Sequence, residues 1–376
     1  MHTFLALVAL VPPLQPPTVT APAAAALPEF TVRAIRETEP VEATGDAADD
    51  PAIWIHPSDS TRSIVLGTNK RSGLAVYSLT GQEIQFLPVG RVNNVDAAPV
   101  PGGDTVVMTG QRDSREVFLW WGDNVTRRLK QFEPAPRKSL SPGVVSTTPN
   151  RADSILEVGV DEPYGLACGM VGNTLRLLVN DKSGVLEDWS ISITDRHLTA
   201  GGLNRTLRFD SQTEGMVIDT HHGWAFVGEE ARGIWKISMD SASTEKTLVD
   251  SATTASPSGH LVADIEGLTI ADAGQGEGYL ICSNQGNNSF TVYTRAEPHT
   301  RLARFRIEGS EGIDGVTETD GIAVTTADLG GPFAAGLFVA QDGENTDAEG
   351  MAENQNFKFV AWSEIQKGLD EAAKPK

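Results

Sequence analysis

Acidic and amide side chains recur at the start of short apolar segments along this chain of 376 residues. They are Asp49-Asp50, Asn93-Asn94-Val95-Asp96, Asp161-Glu162, Glu214, Asp264, Glu266 and Asp320. Calcium ions in proteins take about six to eight oxygens from carboxylates, amides and the backbone. Two carboxylates that come within a few ångströms of each other share either a proton or a cation. If the fold collects these residues, the set predicts a metal site, whereas any single acid is equally explained as a turn cap.

A second set of charged or polar residues follows a strand-like segment and precedes the next one. The set is basic in the first half of the chain and acidic or amide in the second half: Lys70-Arg71, Arg112, Lys182, then Glu229-Glu230, Asn284-Gln285 and Asp342–Asn345. Lysine and arginine bind phosphate oxygens, and an adjacent metal offsets the charge of a phosphoryl group. Tyr164 can donate a further hydrogen bond. The two sets together favour a phosphate-ester site, although each base alone could be an ordinary surface residue.

Other catalytic arrangements are not supported by the sequence. It contains no Gly-x-Ser-x-Gly elbow, no phosphate-binding loop and no dinucleotide fingerprint. It also lacks the Arg-His-Gly and Cys-x5-Arg signatures of two phosphatase classes. His221-His222 precedes a glycine and is predicted to form a turn. Cys168 and Cys282 lie in apolar contexts and are predicted to be buried free thiols.

The elements that must position these residues follow one plan in six places. A short apolar strand runs into a polar turn and a second apolar strand, as in Ile64–Gly67 followed by Gly73–Tyr77. A closed radial repeat would bring the turns of all six units to one mouth. We therefore predict an all-β, six-bladed β-propeller in a single domain. An all-β sandwich with polar turns is the alternative.

Composition and the chain ends set further expectations. Residues 1–28 read as a signal peptide with a Pro/Ala-rich linker, and residues 29–376 as the propeller domain. We expect export to the periplasm or medium. The net charge of −20 argues against nucleic-acid binding through a general field. We expect a monomer that does not bind membranes, a helix at Ser363–Ala373 and an irregular insertion at 134–149.

Several motifs closely resemble those of the β-propeller phytases, the calcium-dependent, six-bladed class of alkaline phytase. They are Asp46–Trp54, Thr68–Tyr77, Asn93–Asp96, Thr213–Met216, Asp264–Thr269, Gln285–Ser289, Asp342–Asn345 and Asn354–Lys358. The resemblance covers nearly the whole mature chain. It implies a phosphomonoesterase that acts on phytate (myo-inositol hexakisphosphate), as its calcium complex, with one phosphate site for cleavage and one for affinity.

The resemblance also implies residue roles, carried over at matching positions. The implied phosphate ligands are Lys70, Arg112, Tyr164 and Lys182, with Arg71 where the family often has lysine. The implied ligands of catalytic Ca2+ are Asp49, Glu214, Glu229, Asp264, Glu266 and Asp320. Calcium that braces the fold would be held by Asp50, Asp314, Glu344, Asn345 and the backbone oxygen of Val95.

The chain departs from the family pattern near the predicted phosphate mouth. Ser183 follows Lys182 where the family commonly has an acid, and Ala231 and Arg232 replace two further acids after Glu229-Glu230. These departures bear on the number of catalytic calcium ions and on calcium dependence. Because the ligands are carboxylates, we expect activity to fall below about pH 4 to 5.

Two alternative functions remain open at this stage. One is a calcium-bound propeller that binds an anionic partner without catalysis. The other is a propeller hydrolase of lactones or phosphotriesters, against which the bank of Lys and Arg argues. Phosphate release from phytate, with and without calcium, discriminates among the three.

Overall fold

A computed structural model of the chain describes residues 27–132, 155–194, 196–253 and 261–374. The predicted insertion at 134–149 and nearly all of the predicted signal peptide and linker lie outside these residues. Within the described ranges the strands form six sheets, which are the blades of a β-propeller. The predicted fold class is confirmed.

The chain enters the propeller through two strands that belong to its last blades, and then builds the first three blades in order. The entering strands are β1 (Glu29–Arg33) and β2 (Arg36–Glu37). Blade 1 contains β3 (Ala48–Trp54), β4 (Ile64–Asn69), β5 (Gly73–Ser78) and β6 (Glu83–Leu87). Blade 2 contains β7 (Val92–Pro99), β8 (Thr105–Gln111), β9 (Glu116–Asp123), β10 (Arg128–Gln131) and β11 (Ile155–Glu157). Blade 3 contains β12 (Leu166–Val171), β13 (Thr174–Asn180), β14 (Val185–Thr194) and β15 (His197–Arg208).

The second half of the chain builds the remaining blades and one helix. Blade 4 contains β16 (Thr213–Asp219), β17 (Trp224–Glu229), β18 (Gly233–Ser238), β19 (Lys246–Thr253) and β20 (Leu261–Val262). Blade 5 contains β21 (Ile265–Gly274), β22 (Glu277–Asn284), β23 (Ser289–Thr294) and β24 (Arg301–Glu308). Blade 6 contains β25 (Ile322–Thr325), β26 (Leu337–Asp342) and β27 (Asn356–Ala361), and α1 (Trp362–Ala372) follows. Short 3-10 turns lie at Ser60–Arg62, Gln285–Asn287 and Gly331–Phe333.

The ring is closed by both ends of the chain. The innermost strands β3, β7, β12, β16, β21 and β25 contact one another in that order, and β25 contacts β3. On the outside of blade 6, β2 pairs antiparallel with β27, with Arg36 opposite Phe359. The strand β1 adds to blade 5 in parallel with β24. The pairing of these N-terminal strands with blades 5 and 6 was not predicted from the sequence, because strands as short as β2 carry no periodicity.

Apolar side chains fill the space between successive blades. Between blades 1 and 2, for example, Trp54, Leu66 and Val107 are almost fully buried in one cluster. Because each blade is covered on both faces, its central strands are continuous apolar runs rather than alternating ones. Burial of apolar surface of this kind is the main stabilising contribution to such a fold.

The helix α1 packs on the outside of the last blades. It begins and ends one residue before the predicted bounds, and it buries Ile365 and Leu369. No helix of the described part is long and apolar enough to cross a membrane. Cys168 and Cys282 are buried free thiols, as predicted.

Candidate active site

The acids of the first sequence set are positioned by irregularities at the start of innermost strands. In β3 the pairing with β4 shifts between Ala48 and Pro51, so that Asp49 and Asp50 together oppose one residue. Equivalent shifts occur in β7, β16 and β21, at Asn93-Asn94, Glu214-Gly215 and Glu266-Gly267. A bulge of this kind redirects side chains out of the regular pleat. Several acids expected in turns therefore lie in bulged strand ends.

Glycines beside these acids let the neighbouring blades approach closely at the mouth. A Cβ atom on Gly215 would lie 2.2 Å from the carbonyl oxygen of Glu266 in the next blade. A Cβ atom on Gly267 would lie 2.9 Å from the carbonyl oxygen of Asp320, one blade further on. The Gly267 N–H donates to that same oxygen at 2.7 Å. The recurring acid–glycine pair is the sequence signal that would have predicted which acids converge.

Five carboxylates, called the acidic cluster, meet at this end of the central channel. They are Asp49, Glu214, Glu230, Glu266 and Asp320. Carboxylate oxygens of three of them, Glu214, Glu230 and Glu266, lie within 4.8 Å of one another. Within the described part of the chain, one buried oxygen of Glu230 and one of Glu266 have no hydrogen-bond partner. Unpaired buried oxygens at this spacing are suited to a cation, because they would otherwise carry a desolvation cost.

Burial and mutual repulsion raise the pKa values of these acids and so favour their protonated forms. Burial, with repulsion from neighbouring acids, raises the pKa of Asp49, Glu214, Glu230 and Asp320 to about 7 in each case. Burial and the charge of Glu214 raise the pKa of Glu266 well above its usual value. A bound divalent cation would oppose both effects, since it favours the ionised form.

Lys70 lies at the edge of the acidic cluster. Its Nζ atom is 2.6 Å from Asp46 Oδ1, 3.0 Å from Asp49 Oδ2 and 2.8 Å from Asp320 Oδ2. Burial lowers the pKa of Lys70, but the charges of Asp49 and Asp320 outweigh it and hold the pKa above its usual value. The Gln285 side chain donates to Asp320 Oδ1 at 2.5 Å. Lys70 is therefore permanently charged at the boundary between acids and bases.

The bases of the second sequence set line an adjacent cavity of about 460 Å³. Its lining, called the basic cavity, comprises Asp46, Lys70, Arg71, Arg91, Arg112, Tyr164 and Lys182. A second cavity of about 340 Å³, called the acidic cavity, is lined by Asp46, Lys70, Tyr164, Glu214, Glu266, Gln285, Glu318, Asp320 and Gln355. The structure thus brings together all four predicted bases and Tyr164 next to the acids, on the same mouth. Arg91 was not predicted.

Tyr164 and Asn93 connect the two cavities. Lys182 Nζ lies 4.3 Å from the centre of the Tyr164 ring, and Arg112 stacks on the same ring at 5.1 Å. The buried Asn93 amide donates to Glu214 Oε1 at 2.7 Å and accepts from Arg112 at 3.1 Å. The Asn93 amide therefore fixes Glu214 of the acidic cluster relative to Arg112 of the basic cavity.

Comparisons with known proteins identify the family of this chain. A sequence model of the phytase family matches residues 3–107 and 148–374. A 3-phytase from Bacillus subtilis (strain 168) is 38% identical over 353 residues, covering 91% of this chain and 86% of that protein. The chain belongs to the phytase family. The resemblance predicted from the sequence motifs is confirmed, and so is the enzyme class.

In this phytase, Glu230 rather than Glu229 joins the acidic cluster. The Glu229 carboxylate accepts from the Ser211 backbone N–H at 2.7 Å, from the Ser211 hydroxyl at 2.8 Å and from the Trp235 indole at 2.7 Å. Glu229 is the last residue of β17, whereas Glu230 is the first residue of the turn that follows. The structure therefore places Glu229 in the blade interface. The exposed Asp264 lies near enough to Glu230 to raise its pKa.

The residues expected to hold one of the fold-bracing calcium ions surround a lysine in this phytase. Lys358 Nζ, fully buried, contacts Glu37 Oε2 at 2.5 Å, Asp342 Oδ2 at 3.4 Å, Asn345 Oδ1 at 2.7 Å and Asp314 Oδ1. The other oxygen of Asp314 accepts from the Thr346 N–H at 2.8 Å. In this structure these side-chain oxygens are engaged by Lys358 and the Thr346 N–H, and Glu344 is exposed, so the calcium ion expected here stays a prediction.

Asp50 and Val95, both expected to hold a fold-bracing calcium ion, contact each other directly. Asp50 Oδ2 accepts from the Val95 backbone N–H at 3.0 Å, whereas a calcium ligand was expected from the Val95 carbonyl. Burial raises the pKa of Asp50 well above its usual value. The Asp50 N–H donates to Thr68 Oγ1 at 2.9 Å. The contact seen between Asp50 and Val95 is therefore a direct hydrogen bond within the fold.

Proposed function

We propose that this chain hydrolyses phosphate monoesters of phytate, taken up as its calcium complex, and that Ca2+ is required. The observation that carries the proposal is the acidic cluster with unpaired buried oxygens directly beside a cavity lined by Lys and Arg. The curated Bacillus relative is named a 3-phytase, which supports the same substrate here. We also propose that the enzyme acts after export, as the N-terminal residues suggest.

The donor set fits calcium better than a softer metal. The five members of the acidic cluster offer carboxylate oxygens only, and hard oxygen donors suit Ca2+. Glu214, Glu230 and Glu266 would form the core of the site, with Asp49 and Asp320 at its edge. When bound, calcium would offset the negative charge of a phosphoryl group and lower the pKa of bound water.

The chain's own residues bind and orient the polyanion. Arg112 and Lys182, stacked on Tyr164, present cations to phosphate in the basic cavity. Two cavities that share Lys70 can hold two neighbouring phosphates of one inositol ring, one against the acids and one against the bases. Fixed cations at a transferring phosphoryl group stabilise its transition state without reorganisation. No side chain is needed as a covalent nucleophile.

Phosphate release from phytate across a calcium titration tests this function. We expect release that rises with calcium and is abolished by a chelator. Arg112→Ala should raise KM by about tenfold or more, since it removes a charge-assisted contact. Arg115→Ala is the matched control, because Arg115 is exposed and pairs with Asp161 outside both cavities. Calcium-independent release, or none at any calcium concentration, would exclude the proposal.

A further inference from the structure

Asp46 lies where the acidic and basic cavities meet. It is one of three residues, with Lys70 and Tyr164, that line both cavities. Its side chain is 73% exposed, in contrast to the buried acids around it. The backbone carbonyl of Asp46 accepts a hydrogen bond from Arg71 Nε at 3.0 Å, which holds the Asp46 loop against the basic cavity.

The carboxylate of Asp46 is one of three that crowd the ammonium group of Lys70. Lys70 Nζ donates a hydrogen bond to Asp320 Oδ2 at 2.8 Å. It also forms ion pairs with Asp46 at 2.6 Å and with Asp49 at 3.0 Å. A phosphate oxygen can therefore bind Lys70 directly only if one of these carboxylates moves away.

Of the three carboxylates, only that of Asp46 is free to leave. Asp49 is buried and accepts from Asn93, and Asp320 accepts from Gln285 at 2.5 Å. Their side chains are 2% and 14% exposed, against 73% for Asp46. An exposed carboxylate is rehydrated at little cost when its partner is lost, whereas a buried one is not.

We propose that Asp46 is an internal competitor of phosphate at Lys70 and so sets how tightly this enzyme holds substrate and product phosphate. The competition weakens phosphate binding and favours release of inorganic phosphate after each cleavage. The effect of this competition on turnover rests on the proposed function. The binding competition itself can be measured without turnover.

The test compares Asp46→Asn with two matched variants. Asp46→Glu keeps the carboxylate, and Asp161→Asn removes an equal charge from an exposed ion pair with Arg115 that lines neither cavity. Binding of inorganic phosphate is measured by calorimetry in calcium-free buffer, and KM and kcat for phytate are measured with calcium. Melting temperatures establish that each variant is folded.

We expect Asp46→Asn to bind inorganic phosphate about two- to fivefold more tightly, with a KM for phytate lowered by a similar factor. Asp46→Glu and Asp161→Asn should behave like the wild type. Unchanged or weaker phosphate binding by Asp46→Asn would overturn the inference, as would equal tightening in Asp161→Asn. A lower kcat with a raised calcium requirement would instead make Asp46 a metal ligand and also overturn it. If the wild type released no phosphate from phytate, the proposed function would fail, whereas tighter phosphate binding by Asp46→Asn would still establish the competition.

Discussion

At the scale of single residues, neighbours in sequence have opposite environments in this phytase. Glu229 has both carboxylate oxygens engaged by Ser211 and Trp235, whereas Glu230 carries an unpaired buried oxygen beside Glu214 and Glu266. The same residue type therefore stabilises the fold at one position and is available to a cation at the next. Their roles follow from the direction of each side chain, and not from charge alone.

The different environments of Glu229 and Glu230 predict different effects of the same Glu→Gln substitution at the two positions. Glu230→Gln should raise the calcium concentration needed for half-maximal activity and leave stability nearly unchanged. Glu229→Gln should lower the free energy of unfolding by about 1–3 kcal/mol, because a buried charge-assisted network is weakened. Urea unfolding and calcium titration of each variant measure both effects. If Glu229→Gln impaired calcium response without loss of stability, our placement of the two residues would be wrong.

A second residue-scale prediction concerns pH. The structure moves the titration of the acidic cluster from the ordinary carboxylate range, near pH 4, to a pKa of about 7 for Asp49, Glu214, Glu230 and Asp320. A carboxyl group whose pKa is raised on folding stabilises the fold below its unfolded pKa, and this contribution is lost as the pH rises through the folded pKa. Without calcium, these groups should therefore destabilise the protein progressively between about pH 4 and pH 7.

Calcium should reverse this loss, so its stabilising effect should be larger at pH 8 than at pH 5. Melting temperatures with calcium and with chelator, taken at both pH values, give the calcium increment directly. As the pH is lowered, activity at limiting calcium should begin to fall above the range of about pH 4 to 5 that the sequence predicts. An equal calcium increment at pH 5 and pH 8 would show that these acids do not bind the ion.

At the scale of elements, the innermost strands β16 and β21 combine a bulge with a glycine. The bulge in β16 turns Glu214 toward the channel, and Gly215 lets the next blade approach. The same pair occurs as Glu266-Gly267 in β21. Side-chain direction and blade spacing are therefore set by the same two residues in each of these strands.

Gly215→Ala should disturb this arrangement, since its Cβ atom would lie 2.2 Å from the Glu266 carbonyl oxygen. We expect a loss of about 1–3 kcal/mol in unfolding free energy, typical of overpacking against backbone. Activity should fall as well, because Glu214 and Glu266 would be pushed apart. Gly202→Ala in β15 is the matched control, because its added Cβ atom would meet nothing within 4 Å. Equal stability of the two variants would contradict the role of Gly215.

At the scale of the whole molecule, an ionic cluster joins the two ends of the chain. Lys358 in β27 contacts Glu37 in β2, Asp342 in β26 and the loop residue Asp314. Burial lowers the pKa of Lys358, but Asp314, Glu37 and Asp342 outweigh it and hold the pKa above its usual value. Lys358 thus supplies a positive charge to these three carboxylates.

Lys358→Met should destabilise the closed ring by about 3–5 kcal/mol, because it leaves the buried Asp342 and the partly buried Glu37 and Asp314 without a compensating charge. Urea unfolding at fixed calcium measures the loss. Lys367→Met, at an exposed position of α1, should be nearly neutral and serves as the control. If Lys358→Met unfolded at the same urea concentration as Lys367→Met, Lys358 would not brace the closure.

The sequence by itself determined the architecture and the chemical character of the mouth. Short apolar runs separated by polar turns are local patterns, and six of them sufficed to predict the blades, the acids and the bases. The family motifs added the enzyme class. These features were predictable because they depend on residues close together in the chain.

Tertiary structure alone decided which of these side chains meet. Lys70 and Asp320 are 250 positions apart, and Lys358 and Glu37 are 321 apart, so no local pattern could pair them. A one-residue difference in position decided between Glu229 and Glu230, because β17 ends at Glu229 and Glu230 lies in the turn that follows. Ring closure and bulge geometry are long-range properties, and they determine where each charge in this protein is placed.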